Sequence, residues 1–400
     1  MLIRLANSPR HYEWGSTSAI SDLLGTKPSG RPEAELWFGT HGASPTWLVD
    51  HDEGYATLNE FVFANPGETV GNQDTVPFLL KVLAAGRPLS LQAHPSDEQA
   101  REGFARENAA GLHLADPQRN YRDNQAKPEL IVSMCDEFVA LSGFREFAQT
   151  VTLLRDVAQR SDSLALARFV DDFEQRGHQS VADAFTWALA YLLSDSVGVQ
   201  QLVAAMVAAC SAPRQEANEL VDTVRELAVL YPSDPGIMVA TLLNRVVLGR
   251  SEALYLPAGN LHAYLRGIGI EIMRASDNVL RGGLTSKHID IAELTRVVDC
   301  SELREPRMRP VATAPGLDTY APLDAGFVLH HYRGASISDN SPVALPSAGC
   351  AIALCTNGSV TVTTASSTRV LARGESIFIT VDERDVSLHG SGELFVATEG

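Results

Sequence analysis

Long apolar runs are missing from this chain: nothing in its 400 residues approaches the ~18 unbroken apolar positions of a membrane span. The opening stretch, MLIRLANSPRHYEWGS, also lacks an apolar core of signal-peptide length, so a cytoplasmic protein is expected. Cysteine is scarce. Cys135, Cys210, Cys300, Cys350 and Cys355 are odd in number, scattered and never in a CxxC arrangement, which argues against a zinc knuckle or redox pair and for reduced packing residues. Positive charge is short as well: 32 Lys and Arg face 49 Asp and Glu, and the formal charge of −17 repels nucleic acid and anionic membrane, so neither is an expected partner. There is no nucleotide-binding glycine loop, no repeat of solenoid period and no low-complexity tract. What remains, 45% hydrophobic and 20% charged, is a globular chain long enough for two or three domains.

The pattern divides the chain. Up to about residue 143, short apolar runs such as Pro77-Phe-Leu-Leu-Lys-Val-Leu83 and Leu130-Ile-Val-Ser-Met134 lie between Gly, Pro and Asn and read as strands. Over 144–249, Val181, Phe185, Ala188, Leu189, Leu192 and Leu193 recur at helical spacing, as do Leu220, Val224 and Leu227, and Leu242 and Val246. Strand-like runs return at Ala253-Leu-Tyr-Leu256 and Gly269-Ile-Glu-Ile-Met273, and Asp290 with Glu293 marks a capped helix to about Val298. From 311 to 400, Ala351-Ile-Ala-Leu354, an Asn357-Gly358 hairpin signal, Val360-Thr-Val362 and Ser376-Ile-Phe-Ile379 suit a small antiparallel barrel or sandwich. The expected fold is mainly β with a helical insertion: residues 144–249 interrupt a unit made of 1–143 and 250–310, and 311–400 form a second β unit.

Three segments carry metal-ligand chemistry. In Pro88-Leu-Ser-Leu-Gln-Ala-His-Pro95 the polar Ser90, Gln92 and His94 alternate with Leu89, Leu91 and Ala93, so a strand turns all three to one face. The strand stops at Pro95, and Ser96 with Gln99 forms a capping box for a following helix. In Asn124-Gln-Ala-Lys-Pro-Glu-Leu-Ile-Val132, Glu129 opens an apolar strand, where a carboxylate needs a partner. In Tyr255-Leu-Pro-Ala-Gly-Asn-Leu-His-Ala-Tyr264, His262 falls on an apolar surface. Taken singly, these are a solvated strand edge, a paired acid and a hydrogen-bonded core histidine. Together they offer two imidazoles, a carboxylate and an amide oxygen, a set acceptable to zinc and several other divalent metals.

Leu89-Ser-Leu-Gln-Ala-His-Pro95, Lys127-Pro-Glu129, His262-Ala-Tyr-Leu265 and Ser276-Asp-Asn-Val-Leu-Arg-Gly-Gly-Leu-Thr285 resemble, in order and rough spacing, the motifs of type I mannose-6-phosphate isomerases. Tyr12-Glu-Trp-Gly-Ser16 and Ala34-Glu-Leu-Trp-Phe-Gly-Thr-His-Gly42 resemble that family's N-terminal signatures. The resemblance implies a cupin-type β-barrel catalytic domain with a helical insertion, followed by a small C-terminal β-barrel or jelly-roll domain. It implies one Zn2+ per chain on Gln92, His94, Glu129 and His262, and interconversion of mannose 6-phosphate and fructose 6-phosphate through an enediol, on the way to GDP-mannose. Many family members carry His immediately before Lys-Pro-Glu, where this chain has Ala126.

Charged residues in apolar contexts supply the rest. Lys81 shares a strand face with Leu79 and Leu83, where an unpaired ammonium is costly. Lys127 precedes Glu129 by two, and Arg281 and Lys287 bracket the Gly282-Gly-Leu-Thr-Ser286 turn. Each alone reads as an ion-pair residue; converging in an acidic protein, they suit a phosphate dianion. The resemblance places Arg281 and Lys287 near the substrate phosphate and gives Ser90 a hydroxyl contact. Glu271, in Gly269-Ile-Glu-Ile-Met273, is a carboxylate whose pKa burial can raise toward that of a general base; with Ala126 removing an imidazole, Glu271 is the first candidate for the proton shuttle and Lys127 the second. The other catalytic assignment is Arg281; the expected partner is a small sugar phosphate, and the protein is expected to be a monomer or weak homodimer. Competing readings are a metal-binding cupin without catalysis and an iron-dependent cupin dioxygenase, against which Gln92 and the cations argue.

Overall fold

The strand His262–Arg274 organises the sheet that bears the candidate site. The structure, a computed structural model, describes residues 1–49, 54–194, 196–212, 216–334, 341–346 and 349–400. The second half of this strand pairs with Phe78–Ala85 on one side and Glu129–Ser133 on the other, and its first half with Gln92–Ala93 and Phe138–Phe144. Partners change at Gly267, whose φ is +122° and whose missing Cβ would fall 2.6 Å from the Phe138 ring, so that only glycine fits. Glu35–Phe38 extends the sheet beyond Phe78–Ala85, and Ala253–Leu256 beyond Glu129–Ser133.

Strand alternation then sorts the side chains. Leu80, Val82, Leu130, Val132, Ile270 and Ile272 turn to one face and pack against Tyr320, Phe327, Ile352, Leu354, Phe378 and Phe395 of a second antiparallel sheet. Each such burial is worth about 1.5–3 kcal/mol relative to exposure, so the shared core holds the two sheets together. The intervening residues, including Lys81, Glu129 and Glu271, turn to the opposite face, and there the cavity lies.

The second sheet runs from Val311–Ala314 through Leu317–Tyr320, Phe327–Arg333, Gly392–Glu399, Ala351–Thr363 and Ser376–Ile379 to Leu2–Ala6 and Trp47–Val49. The N-terminal strand therefore pairs with the C-terminal sheet, whereas the sequence pattern grouped all of 1–143 with the catalytic unit; Leu2–Ala6 meets Ser376–Ile379, a pairing no local window reveals. The Asn357-Gly358 pair is not a hairpin turn either. It lies inside the strand Ala351–Thr363, where the register slips between Cys355 and Asn357 and Gly358 takes φ +64°. The same left-handed preference that suits a hairpin turn here makes a bulge.

The insertion comprises helices Phe147–Arg160, Leu164–Gly177, Val181–Leu192, Val197–Ser211, Glu219–Ala228 and Gly236–Ala240. Ser163, Ser180, Ser196 and Asn218 cap four of them through side-chain oxygens. Their apolar faces pack on Val139, Leu141, Phe144, Ala263 and Leu265 of the site-bearing sheet. Leu242 and Val246 are not helical: Leu243–Leu248 is a strand paired with Phe138–Phe144. A spacing of four satisfies a strand as well as a helix, and the adjacent β-branched Val246 and Val247 favour the strand. The capped helix Ile291–Val297 forms as its Asp290 cap predicts. Among the described residues no single helix is long and apolar enough to cross a membrane.

Candidate metal centre and phosphate pocket

Cross-strand register builds the site in two rows. Arg281, Gln92 and His262 stand opposite one another on three neighbouring strands, and so do Trp37, Lys81 and Glu271. The paired strand at the first ligands is only Gln92–Ala93, yet the alternation read from sequence holds around it: Leu91 and Ala93 enter the core beneath the helices, while Ser90 and Gln92 line the cavity. The chain then turns at Pro95 into the helix Asp97–Ala109, whose Ser96 and Gln99 close the expected capping box.

His94, Glu129 and His262 are all but fully buried and offer ligand atoms within 4.8 Å of one another. Each imidazole has its Nδ1 on a backbone carbonyl, 2.7 Å from Asn278 O for His94 and 3.0 Å from Asn260 O for His262. A carbonyl only accepts, so Nδ1 carries the proton and Nε2 presents a lone pair. Both Nε2 atoms lie 3.4 Å from Glu129 carboxylate oxygens. Burial, then the Lys127 ammonium, pushes His94 down to about 4, so it is neutral at physiological pH. Burial alone would raise Glu129, but Lys127, 2.8 Å away, and the histidines hold it well below the usual carboxylate range. Lone pairs thus face lone pairs, and His94 Nε2, His262 Nε2 and Glu129 Oε2 are buried without hydrogen-bond partners among the described residues. A divalent cation resolves that arrangement, and the nitrogen and oxygen donors fit zinc. Asn278, whose carbonyl orients His94, is itself anchored: its side chain donates to Asp123 O and Gln125 O and accepts from the amides of Arg122 and Asp123.

The cavity beside these ligands measures about 560 Å³, in the range of small-ligand sites. On one wall Lys81 lies 3.2 Å from Glu271, 3.9 Å from Glu35 and over the Trp37 ring at 4.9 Å, and Tyr264 donates to Glu271 at 3.0 Å. Burial would lower the Lys81 ammonium, but the carboxylates of Glu35 and Glu271 outweigh it and hold it above its ordinary value. Burial raises Glu271 above the usual carboxylate range against the opposing pull of Lys81. On another wall stand Arg281 and Lys287 with Thr285 and Ser286. Burial first, then the neighbouring Arg122, lowers Arg281; burial, then Arg281 and Arg122, lowers Lys287. Among the described residues no carboxylate acts on either, so an anion is the group that relieves their mutual repulsion.

Residues 2–147 match the family described as phosphomannose isomerase type I, catalytic domain. The mannose-6-phosphate isomerase of Escherichia coli (strain K12) is 36% identical over 400 residues, covering 98% of each chain. The chain belongs to the type I phosphomannose isomerase family. The human mannose-6-phosphate isomerase is 30% identical over 408 residues, covering 95% of this chain and 93% of its own. A crystal structure of zinc-bound mannose 6-phosphate isomerase superposes with a TM-score of 0.87 at 32% identity, covering 100% of this chain and 99% of that one.

Within this family fold, Ser90, Gln92, Lys81, Lys127, Glu129, Glu271, Arg281 and Lys287 all line the one cavity, with His94 and His262 beside Glu129. Lys81 lines the cavity, and its charge is matched there by Glu271 and Glu35. Ala126 is buried, and its amide donates to Asp97 Oδ1 at 3.0 Å. Sequence reasoning passed over Glu35, although a carboxylate in the apolar run Ala34-Glu-Leu-Trp-Phe is the same signal that drew attention to Glu271. Tyr264 and Arg122 carried no local signal.

Proposed function

We propose that this protein is a zinc-dependent isomerase that interconverts mannose 6-phosphate and fructose 6-phosphate. The observation that carries the reading is the meeting, at one cavity, of a His94, Glu129 and His262 cluster and the cations Arg281 and Lys287. Among the described residues, His94 Nε2, His262 Nε2 and Glu129 Oε2 have no hydrogen-bond partner and no carboxylate acts on either cation. The names of the relatives support the same substrate.

His94, Glu129 and His262 would hold the zinc, with Gln92 beside them in the cavity lining as a further ligand. When bound, the metal polarises the sugar's carbonyl and hydroxyl oxygens and offsets the charge that develops on them. Isomerisation moves one proton between C1 and C2 and a second between the oxygens on those carbons, through an enediol. Glu271 takes that proton from one carbon and returns it to the other, since burial raises its carboxyl toward the range of a working base and Lys81 and Tyr264 aim it from two sides. Lys127, bonded to Glu129, is the second candidate. Arg281 and Lys287 bind the phosphate and orient the sugar, and Ser90 adds a hydroxyl. We read the protein as cytoplasmic and as a monomer or weak homodimer acting on this small molecule, with neither nucleic acid nor membrane as partner.

The test is a coupled assay of fructose 6-phosphate formed from mannose 6-phosphate, before and after chelation and with zinc restored. Turnover that chelator abolishes and zinc restores is expected. No turnover by zinc-loaded protein that still binds the substrate would favour a non-catalytic cupin, and oxygen consumption would favour a dioxygenase.

A further inference from the structure

The loop that carries Thr285, Ser286 and Lys287 to the cavity is held by a residue far from it in sequence. Asp234 lies in the turn before the helix Gly236–Ala240 of the insertion. Its Oδ1 accepts from the amides of Gly236 at 2.7 Å and Leu284 at 2.9 Å, and its Oδ2 from the amide of Thr285 at 3.1 Å. Leu284 is a non-glycine residue at φ +55°, with its side chain buried, a backbone state that persists only when its surroundings enforce it. Insertion and loop meet backbone to backbone: a Cβ at Gly283, whose φ is +120°, would fall 2.5 Å from Gly236 Cα, and a Cβ at Gly236 would fall 2.6 Å from Leu284 N. On its other side the loop is tied to the ligand-bearing segment, Leu91 N donating to Gly283 O at 3.1 Å and Gly282 N to Leu91 O at 2.8 Å. Tyr231, three residues before Asp234, also lines the cavity and donates to Pro88 O at 3.2 Å.

We propose that Asp234 is a positioning residue of the helical insertion that clasps the 282–287 loop and sets the distance between the phosphate-binding cations and the metal ligands. The inference rests on the reading of Arg281 and Lys287 as the phosphate site. Its physical basis is that a carboxylate accepting three amides holds the strained Leu284 conformation. Once released, the loop relaxes, and Thr285, Ser286 and Lys287 lose their register with Arg281 and Gln92. Asp234 is not among the residues that line the cavity, so its loss weakens phosphate binding more than it slows the chemistry.

Two readouts on the zinc-loaded full chain test this. The first is the Kd of inorganic phosphate, by titration calorimetry, and the second is KM against kcat for mannose 6-phosphate. Asp234→Ala should raise both the phosphate Kd and KM about tenfold or more, the worth of one charge-assisted contact, with kcat changed less than about threefold and zinc content unchanged. Asp234→Asn keeps one acceptor oxygen but turns an NH2 toward the Thr285 amide or the Leu284 amide, so it should fall between; it decides the matter if the Ala variant does not fold. Gly236→Ala, which pushes the loop from the same side, should reproduce the effect. Variants with wild-type phosphate affinity and KM, or with a loss confined to kcat, would overturn the proposal. A wild-type protein that neither responds to phosphate nor isomerises the sugar would instead overturn the functional reading beneath it.

Discussion

Replacing Lys81 by Met removes the ammonium that faces Glu271 at 3.2 Å and Glu35 at 3.9 Å. At the shorter distance, 3.2 Å, and an effective dielectric of about 20, the attraction is worth about 5 kcal/mol, much of it offset by the desolvation of both groups. Deletion of one partner is a different matter, because it leaves the other charge buried and uncompensated at a cost of about 3–5 kcal/mol. The midpoint of urea unfolding should fall accordingly in Lys81→Met. In a Glu271→Gln background the same change should cost less, with a coupling of about 1–3 kcal/mol between the two sites. The kinetic consequence is sharper. Burial already raises the Glu271 carboxyl, and Lys81 is the largest influence opposing it. With Lys81 gone, Glu271 takes up its proton at higher pH still, so the acid limb of the kcat profile should move to higher pH in the variant. Glu271→Gln itself should keep zinc and substrate binding and lose about 10²–10⁴-fold in kcat, together with exchange of the substrate C2 hydrogen with solvent deuterium. An acid limb that stays in place in a destabilised Lys81→Met protein, or a Glu271→Gln variant with wild-type exchange, would refute the assignment of Glu271 and turn attention to Lys127.

Other outcomes follow from the same geometry. His94→Ala should lose bound zinc, about one ion per chain in the wild type, along with activity, as atomic absorption and the coupled assay will show. Arg281→Ala should keep its zinc and lose about 10-fold or more in kcat/KM for mannose 6-phosphate; near-normal kcat/KM would make Arg281 a structural residue. In the second sheet, burial pushes His330, held between Thr319 and Thr398, down to about 4. The unfolded chain, with its imidazole near ~6.5, takes up that proton first, so stability is full above that pH and falls by up to about 3 kcal/mol as pH drops through the window toward the folded value. Urea unfolding of His330→Gln between pH 7 and about 4 should show a shallower loss on acidification if that proton is responsible.

The parts of the site that were legible in the sequence are those that a strand's period of two determines within a few residues. Ser90, Gln92 and His94 share a face because successive side chains alternate, and Glu129 and Glu271 stand out because a carboxylate in an apolar strand needs a reason to be there. The same local logic found the caps at Ser96 and Asp290. It misjudged Leu242 and Val246, because an offset of four fits both periods, and Asn357-Gly358, because a left-handed pair serves a bulge as readily as a hairpin turn. What no window held were the pairings across long stretches of chain. Leu2–Ala6 finds its sheet at Ser376–Ile379, and the carbonyl that orients His94 belongs to Asn278, 184 residues on. Asp234 is the extreme case. In sequence it is an Asp-Pro-Gly turn between helices, the commonest of loop signatures, and its carboxylate needs no remote partner to make sense there. Only the fold brings Leu284 and Thr285 to it and turns an ordinary turn residue into the support of the loop that lines the cavity.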